Sequence, residues 1–249
     1  MLSYRHSFHA GNHGDVLKHI CQMLIIEKLK SKDKGFCYFD THSGAGVYQL
    51  NSKESLKTNE FKQGIECLIG HSFQNEAINN YLSLVNAYKE FNQYPGSPEI
   101  AKSTLRPQDK LFLMEWHNQE IQNLKSNIGG KNIAIHHRDG YEGLLALTPP
   151  DMQRGMVLID PSYEVSSEYQ KVVDTVVTTY KKWNSAIESD NLDNWIHISN
   201  LKFWAEPIAK LYNVRQMPTT FILDEKKRVI GMNIKGDELD NLILKQLSL

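Results

Sequence analysis

The sequence lacks the features that define several large classes of protein. Its 249 residues include 3 cysteines, Cys21, Cys37 and Cys67, in no paired spacing, which argues against a disulfide-stapled scaffold and is typical of reduced cytosolic thiols. No apolar run is long enough to cross a membrane, and Met1–Arg5 lacks the apolar core of a signal peptide. We therefore expect a cytoplasmic protein with no membrane partner.

An excess of positive charge is also missing. The 28 basic residues face 29 acidic ones, for a formal net charge of −1. A protein that coats nucleic acid is usually far more basic, so any RNA binding would have to come from a local patch. Hydrophobic residues make up 41% of the chain and charged residues 23%, which is ordinary for a globular protein of one large or two small domains.

Short apolar segments that end in an acidic residue recur along the first part of the chain. A segment with helical spacing over 15–30 precedes the first of them, and helical stretches separate the later ones. The four segments span residues 36–40, 110–115, 133–139 and 155–160. Strands that alternate with helices predict an α/β fold with a mainly parallel sheet.

The acids at the four strand ends are Asp40, Glu115, Asp139 and Asp160. Ligands of such sheets bind at the carboxyl edge of the strands, so four acids there indicate a ligand site. The alternative is that each acid caps the following helix. The loop Thr41–Gly46, with Gly44 and Gly46, is an equally weak signal alone, because such loops are as often tight turns as cofactor sites.

The connection between the first two strands is unusually long. About 70 residues separate them, too many for an ordinary crossover, and residues 76–91 have helical spacing. We interpret residues 51–94 as an inserted helical subdomain, which leaves residues 1–50 and 95–180 as the core. Pro95–Pro98 then marks the turn back into it.

The tetrapeptide Asp160-Pro161-Ser162-Tyr163 directly follows a predicted buried strand. Methylation of an exocyclic amine needs a hydrogen-bond acceptor that frees the nitrogen lone pair and an aromatic ring that holds the extruded base. Asp160 and Tyr163 supply both. The alternative is an ordinary strand-to-helix turn with Asp160 as the cap and Pro161 early in the helix.

A larger set of motifs carries a resemblance to a known family. The chain resembles the family of bacterial 23S ribosomal RNA adenine-N6 methyltransferases from its first residue to about residue 180. The matching motifs are the histidine-rich opening Leu2–His13, Asp15–His19, Asp40–Gly46, Tyr94–Pro98, Glu115, Asp139-Gly140 and Leu158–Glu164.

The resemblance implies a Rossmann-like methyltransferase sheet with an inserted helical subdomain. It implies a monomeric enzyme that uses S-adenosyl-L-methionine to methylate an adenine of 23S ribosomal RNA, with Asp160 accepting the proton. The implied cofactor contacts are His19, His42, Ser97, Glu115, Asp139 and Gly140. Tyr4, His6 and Tyr163 are implied to contact the RNA, and we expect no metal because no cysteine or carboxylate spacing accompanies the histidines.

Two departures from the family pattern stand out. Ser162 replaces a proline that is usual in the family, which predicts a less rigid turn rather than lost chemistry. Residues 181–249 resemble the C-terminal part of a thioredoxin-like protein, with a cis bond expected at Pro218. This segment has no Cys-x-x-Cys pair, so redox activity is not expected.

The predicted elements of this C-terminal segment form a β-α-β-β-α order that could complete the methyltransferase sheet. They span residues 195–199, 203–213, 219–224, 228–234 and 237–247. Three other functions stay open at this point. They are a DNA or nucleoside methyltransferase, an impaired protein that only binds RNA or S-adenosylmethionine, and a thioredoxin-like fragment without redox activity.

Overall fold

The computed structural model describes residues 5–152, 154–189, 221–223, 229–232 and 238. Its α-helices are α1 (His13–Lys30), α2 (Lys53–Thr58), α3 (Glu60–Gln63), α4 (Glu76–Lys89), α5 (Ser97–Thr104), α6 (Asn118–Asn127), α7 (Gly140–Leu147) and α8 (Ser167–Ser189). Its strands are β1 (Cys37–Asp40), β2 (Val47–Gln49), β3 (Gln93–Pro95), β4 (Lys110–Glu115), β5 (Ile133–His137), β6 (Gly155–Leu158), β7 (Phe221–Leu223) and β8 (Val229–Met232). None of the helices in these ranges is both long and apolar enough to cross a membrane.

Four parallel strands form the central sheet in the order β5-β4-β1-β6. Phe39 of β1 lies opposite Phe112 of β4 and Val157 of β6, so the four predicted strands share one register and one carboxyl edge. This mixed α/β architecture around a parallel sheet confirms the predicted fold class. The edge where the chain leaves β1, β4, β5 and β6 collects the acids that follow them.

Helices cover both faces of the sheet. On one face, Tyr38 and Leu111 pack with Ile26 of α1 and Ile121 of α6. On the other face, Phe39 and Met114 pack with Leu144 of α7. Burial of these apolar side chains fixes which face each helix covers, and α1 lies with its buried side against the sheet.

The segment between β1 and β4 contains an element that the sequence did not predict. Strands β2 and β3 pair antiparallel, with Tyr48 opposite Tyr94, and helices α2, α3 and α4 lie between them along the chain. Each strand has only three residues, too few for alternation to be recognised. Helix α4 packs Tyr81 and Val85 into a second core that includes Met23 of α1.

The chain divides into two compact units, Met1–Leu192 and Asp193–Leu249. In the second unit, β7 and β8 pair antiparallel, at the positions predicted for strands 219–224 and 228–234. The predicted elements 195–199, 203–213 and 237–247, and the expected cis bond at Pro218, lie outside the described residues apart from Glu238. Whether the segment completes the sheet stays a prediction.

Candidate active site

A cleft of about 180 Å³ opens at the carboxyl edge of the central sheet. Among the residues that line it are His6, His19, His42, Ser97, Glu115, Asp139, Gly140 and Asp160. The structure thus brings together eight of the ten site residues expected from the sequence. Tyr4 lies outside the described residues, and Tyr163 follows Ser162 of the cleft wall but is not itself among the lining side chains.

The loop after β1 is held against the end of β4. Gly44 adopts a φ of +58°, which favours glycine, and its N–H donates to Oε2 of Glu115 at 2.7 Å. The other carboxylate oxygen of Glu115 accepts from the N–H of His117 at 2.7 Å. Burial raises the pKa of Glu115, although these two donors favour the carboxylate. The N–H of Trp116 also donates to this carboxylate, whose acceptor capacity is larger than these donors use.

Asp139 caps helix α7. Its Oδ1 accepts from the N–H groups of Tyr141 and Glu142 at 2.9 and 3.0 Å, so the capping alternative holds for this acid. Gly140 has a packing role, because a Cβ there would collide with the carbonyl oxygen of Thr41. Cofactor contacts at both residues stay a prediction beside these structural roles.

Two of the cleft histidines, His19 and His42, are held by hydroxyl groups. The Thr41 hydroxyl donates to the carbonyl of Leu158, so it accepts at 2.8 Å from Nδ1–H of His42. Nδ1 of His19 lies 2.7 Å from the hydroxyl of Tyr94. Burial lowers the pKa of His42, and it lowers that of His19 to about 3, so both rings are neutral at pH 7.

An ion network joins helix α1 to the Asp160 turn. Asp15 is 2% exposed and binds His6 Nε2 at 2.8 Å and Lys18 Nζ at 2.7 Å. The same ammonium group lies 2.7 Å from Oδ2 of Asp160. The network raises the pKa of Lys18 against the opposing effect of burial, because two carboxylates face one cation. Lys18 therefore fixes one oxygen of Asp160 and leaves Oδ1 available to a substrate.

The sequence interpretation included Asp15 and Lys18 in a matching motif but assigned no site role to them, and it did not single out Trp116. Trp116 follows Glu115, lines the cleft and is 60% exposed, which is unusual for so large an apolar side chain. Its position directly after a strand-end acid was a usable signal. The two residues of the Lys18–Asp160 contact are 142 positions apart in the chain, and no sequence signal pointed to it.

The turn after β6 holds Tyr163 in a left-handed conformation, with a φ of +53°. This region is unfavourable for a bulky residue, so neighbouring contacts must hold it. The Ser162 hydroxyl lies 3.3 Å from Oε2 of Glu168 and accepts from the N–H of Glu164 at 3.4 Å. The ring of Tyr163 lies 4.6 Å from that of Tyr169, centroid to centroid. A hydroxyl thus restrains the turn where the family pattern has a proline ring.

Changing Ser162 tests that restraint. We expect Ser162→Ala to lower methyl transfer about threefold to tenfold, because the turn loses two weak hydrogen bonds, each worth about 1 kcal/mol. Ser162→Pro should keep transfer at the wild-type rate or above it, because the ring restrains φ in another way. Initial rates at saturating cofactor measure both. An alanine variant as active as wild type would show that the hydroxyl is dispensable.

Asp40 is the last residue of β1, directly before the Thr41–Gly46 loop, and it has no exposed surface. It accepts from the Tyr38 hydroxyl at 3.2 Å and from the N–H of His42 at 3.3 Å. Burial raises its pKa to about 6 in spite of these donors. Because the folded protein holds this proton more tightly than the unfolded chain, protonated Asp40 contributes to the free energy of unfolding. The contribution is fully present below about pH 4, the pKa of an unfolded aspartate, and is lost as the pH rises through 6.

Asp40→Asn should remove this pH dependence. Relative to wild type, the free energy of unfolding of the variant should rise by about 3 kcal/mol between pH 4 and pH 8, because asparagine does not ionise. Urea unfolding at several pH values measures the difference. Asp151→Asn, which changes an exposed aspartate, is the control and should follow wild type. Parallel profiles for Asp40→Asn and wild type would contradict the raised pKa.

Among the residues that the structure describes, no three histidine, cysteine or acidic side chains are grouped so as to hold a metal ion.

Comparisons with known proteins place the chain in a family. A family model described as "Ribosomal RNA large subunit methyltransferase D, RlmJ" matches residues 33–211, which extends past residue 180, where the recognised sequence motifs stop. Ribosomal RNA large subunit methyltransferase J of Haemophilus influenzae is 46% identical over 188 residues, 74% of this chain and 67% of the relative. The Escherichia coli protein of the same name is 45% identical over 191 residues, 75% of this chain and 68% of the relative.

A solved structure agrees with these matches. The crystal structure of protein LPL1258 from Legionella pneumophila superposes with a TM-score of 0.63 at 36% identity, covering 70% of this chain and 66% of that one. This chain therefore spans about two thirds of the length of its relatives. On the family match and the identity to both relatives, the chain belongs to the ribosomal RNA large subunit methyltransferase J family.

Proposed function

We propose that this chain transfers the methyl group of S-adenosyl-L-methionine to the N6 amine of an adenine in 23S ribosomal RNA. Family membership supports the reaction class, since both named relatives are ribosomal RNA large subunit methyltransferases. The observation that carries the proposal is the cleft itself. The Asp160 carboxylate, the buried His19 and the Glu115 carboxylate all line it at one sheet edge.

The cleft residues fit the cofactor. The buried Nε2 of His19 has no hydrogen-bond partner within the described part of the chain, and it lines the cleft. Glu115 offers carboxylate oxygens to the ribose hydroxyls, and Asp139 offers its second oxygen to the adenine amine. His19, His42 and Ser97 then lie on the side of β1 and α5, where the amino-acid end would bind. When bound, the cofactor supplies a methyl group on a positively charged sulfur.

Asp160 acts on the target amine. Its side chain is 39% exposed, so an extruded adenine can reach it, and Lys18 holds Oδ2. Oδ1 accepts a hydrogen bond from the N6 amine, which draws the nitrogen lone pair out of conjugation with the ring. As the nitrogen bonds to the methyl carbon, the bond from that carbon to sulfur breaks and its electron pair stays on the sulfur. The methylated nitrogen becomes acidic, and Asp160 accepts its proton. Tyr163 supplies an aromatic face for the base.

Recognition of the RNA is assigned to the opening segment of the chain. His6 lines the cleft, and Tyr4 immediately precedes Arg5, the first described residue. Because the chain has a net charge of −1, it has no general attraction to RNA phosphates, and specific contacts of this kind must provide the binding. We further propose that the protein acts as a monomer in the cytoplasm, where its substrate is made.

The test is transfer of labelled methyl from S-adenosylmethionine to protein-free 23S ribosomal RNA, with digestion and identification of the methylated nucleoside. Duplex DNA and free adenosine are parallel substrates. We expect N6-methyladenosine in the ribosomal RNA alone. Methylation of DNA or adenosine at a similar rate would identify a different methyltransferase, and cofactor binding without transfer would identify a protein that only binds.

A further inference from the structure

The strongest unexplained feature of the cleft is the proton arrangement of His19. The ring has no exposed surface, its Nδ1 lies 2.7 Å from the Tyr94 hydroxyl, and its Nε2 is buried without a partner among the described residues. Burial lowers the pKa of the ring to about 3, so it carries one proton on one of two nitrogens. Which nitrogen holds the proton decides what the cleft can bind there.

The hydroxyl of Tyr81 settles the direction of the hydrogen bonds. It lies 3.0 Å from the Tyr94 hydroxyl, and both tyrosines have no exposed surface. If Tyr81 donates to Tyr94 and Tyr94 donates to His19, each hydroxyl hydrogen has an acceptor. In the reverse direction, the hydrogen of Tyr81 would have no acceptor in the described part of the chain, and Tyr81 does not line the cleft. His19 does line the cleft, so a hydrogen on its unpartnered Nε2 can be met by a molecule bound there, whereas an unpaired hydrogen on Tyr81 stays unsatisfied. His19 therefore accepts at Nδ1 and carries its hydrogen on Nε2.

The part of the cleft at the start of α5 suits an anion. Gln22, one turn beyond His19 on α1, donates to the Ser97 carbonyl at 2.8 Å and so ties α1 to the start of α5. Helix α5 begins after Gly96 without a side-chain cap, and both Gly96 and Ser97 line the cleft. A helix N-terminus and a buried N–H donor together favour a carboxylate. The ends of β4 and β5 would repel one, since Glu115 and Asp139 lie there.

We propose that Tyr81 and Tyr94 form a positioning relay that holds His19 as an Nε2–H donor to the carboxylate at the methionine end of the cofactor. This inference rests on the proposed function and adds two residues to it. Tyr81 belongs to α4 of the helical insert, and Tyr94 to the β3 strand that closes it. The insert thus shapes cofactor binding, whatever it contributes to RNA recognition.

Nitrogen NMR of histidine-labelled wild-type protein tests the relay directly. The His19 spectrum should show a neutral ring with hydrogen on Nε2, both in the free protein and with S-adenosylhomocysteine bound. Hydrogen on Nδ1 in the free protein would overturn the relay. The free protein answers this question even if the cofactor assignment fails.

Binding of two probes tests the carboxylate. S-adenosylhomocysteine has the amino-acid end, and 5′-methylthioadenosine lacks it. Tyr94→Phe should weaken S-adenosylhomocysteine binding about tenfold, equivalent to about 1.4 kcal/mol, and methylthioadenosine binding less than about twofold. Tyr81→Phe should give a smaller loss with the same selectivity. Tyr88→Phe is the control on the same helix as Tyr81. It deletes a hydroxyl that bonds Glu99 of α5 and should leave both affinities unchanged.

Two results would overturn the carboxylate assignment. One is equal weakening of both probes by Tyr94→Phe, which indicates general damage to the site. The other is unchanged S-adenosylhomocysteine binding in a folded Tyr94→Phe variant. Failure of wild type to bind either probe would instead contradict the proposed cofactor.

Discussion

Asp160→Asn is expected to reduce methyl transfer to 23S ribosomal RNA by a factor of about 10² to 10⁴, the usual contribution of a positioned proton acceptor. Asparagine keeps the size of the side chain, but it cannot accept a proton, and its amide offers hydrogens where the target amine also offers them. The affinity for S-adenosylhomocysteine should change less than the rate, because the carboxylate faces the target amine. Single-turnover transfer and calorimetric binding measure the two effects.

Asp174→Asn is the matched control for this change. It changes an exposed aspartate on α8 whose Oδ1 accepts a hydrogen bond from Gln170 at 2.8 Å, so both rate and affinity should match wild type. An equal loss of cofactor binding and transfer in Asp160→Asn would place Asp160 in cofactor binding instead. Full activity of the variant would remove it from the reaction.

The central parallel sheet could be predicted from the sequence, because each of its strands carries the same local pattern. Four apolar segments that end in acids identify β1, β4, β5 and β6, and parallel pairing then brings Asp40, Glu115, Asp139 and Asp160 to one edge. The resemblance added His19, His42 and Ser97, which no spacing rule would single out. Their roles toward the cofactor remain predictions.

What could not be predicted depends on tertiary contacts. The β2–β3 pair is too short to leave a pattern. No role was predicted for the hydroxyls of Tyr81 and Tyr94, because their hydrogen-bond partners come from other elements. The Lys18–Asp160 ion pair was missed for the same reason. Lys18 sits on an amphipathic helix, where a lysine is usually solvated, and only the fold shows that it is 17% exposed between two carboxylates.

Lys18→Met tests whether that ion pair serves the reaction. Methionine keeps most of the apolar stem and removes the cation, so Oδ2 of Asp160 loses the partner that orients it. We expect transfer to fall about a hundredfold, with S-adenosylhomocysteine affinity within about threefold of wild type, because misplacing a reacting group by about 1 Å costs a factor of this size.

The same change should lower stability, and this effect must be separated from catalysis. Asp15 is 2% exposed, and without Lys18 its carboxylate keeps only the bonds from His6 and the Gly11 N–H. Removing one partner of such a buried pair costs about 3–5 kcal/mol. Lys18→Arg restores a cation and should recover most of the stability. It should recover less of the rate, because a planar guanidinium meets two carboxylates in a different geometry.

A comparison of wild type, Lys18→Met and Lys18→Arg then distinguishes a lysine that positions Asp160 from one that only stabilises the fold. If Lys18 acts through Asp160, the rate of Lys18→Met should stay low at temperatures far below its unfolding midpoint, and Lys18→Arg should fall between it and wild type. A rate that returns to wild type once Lys18→Met is fully folded would show that the lysine only stabilises α1. Transfer assays at several temperatures, beside urea unfolding of each protein, make this separation. The ammonium group has two carboxylate partners, Asp15 and Asp160, and we propose that the one on Asp160 takes part in the reaction.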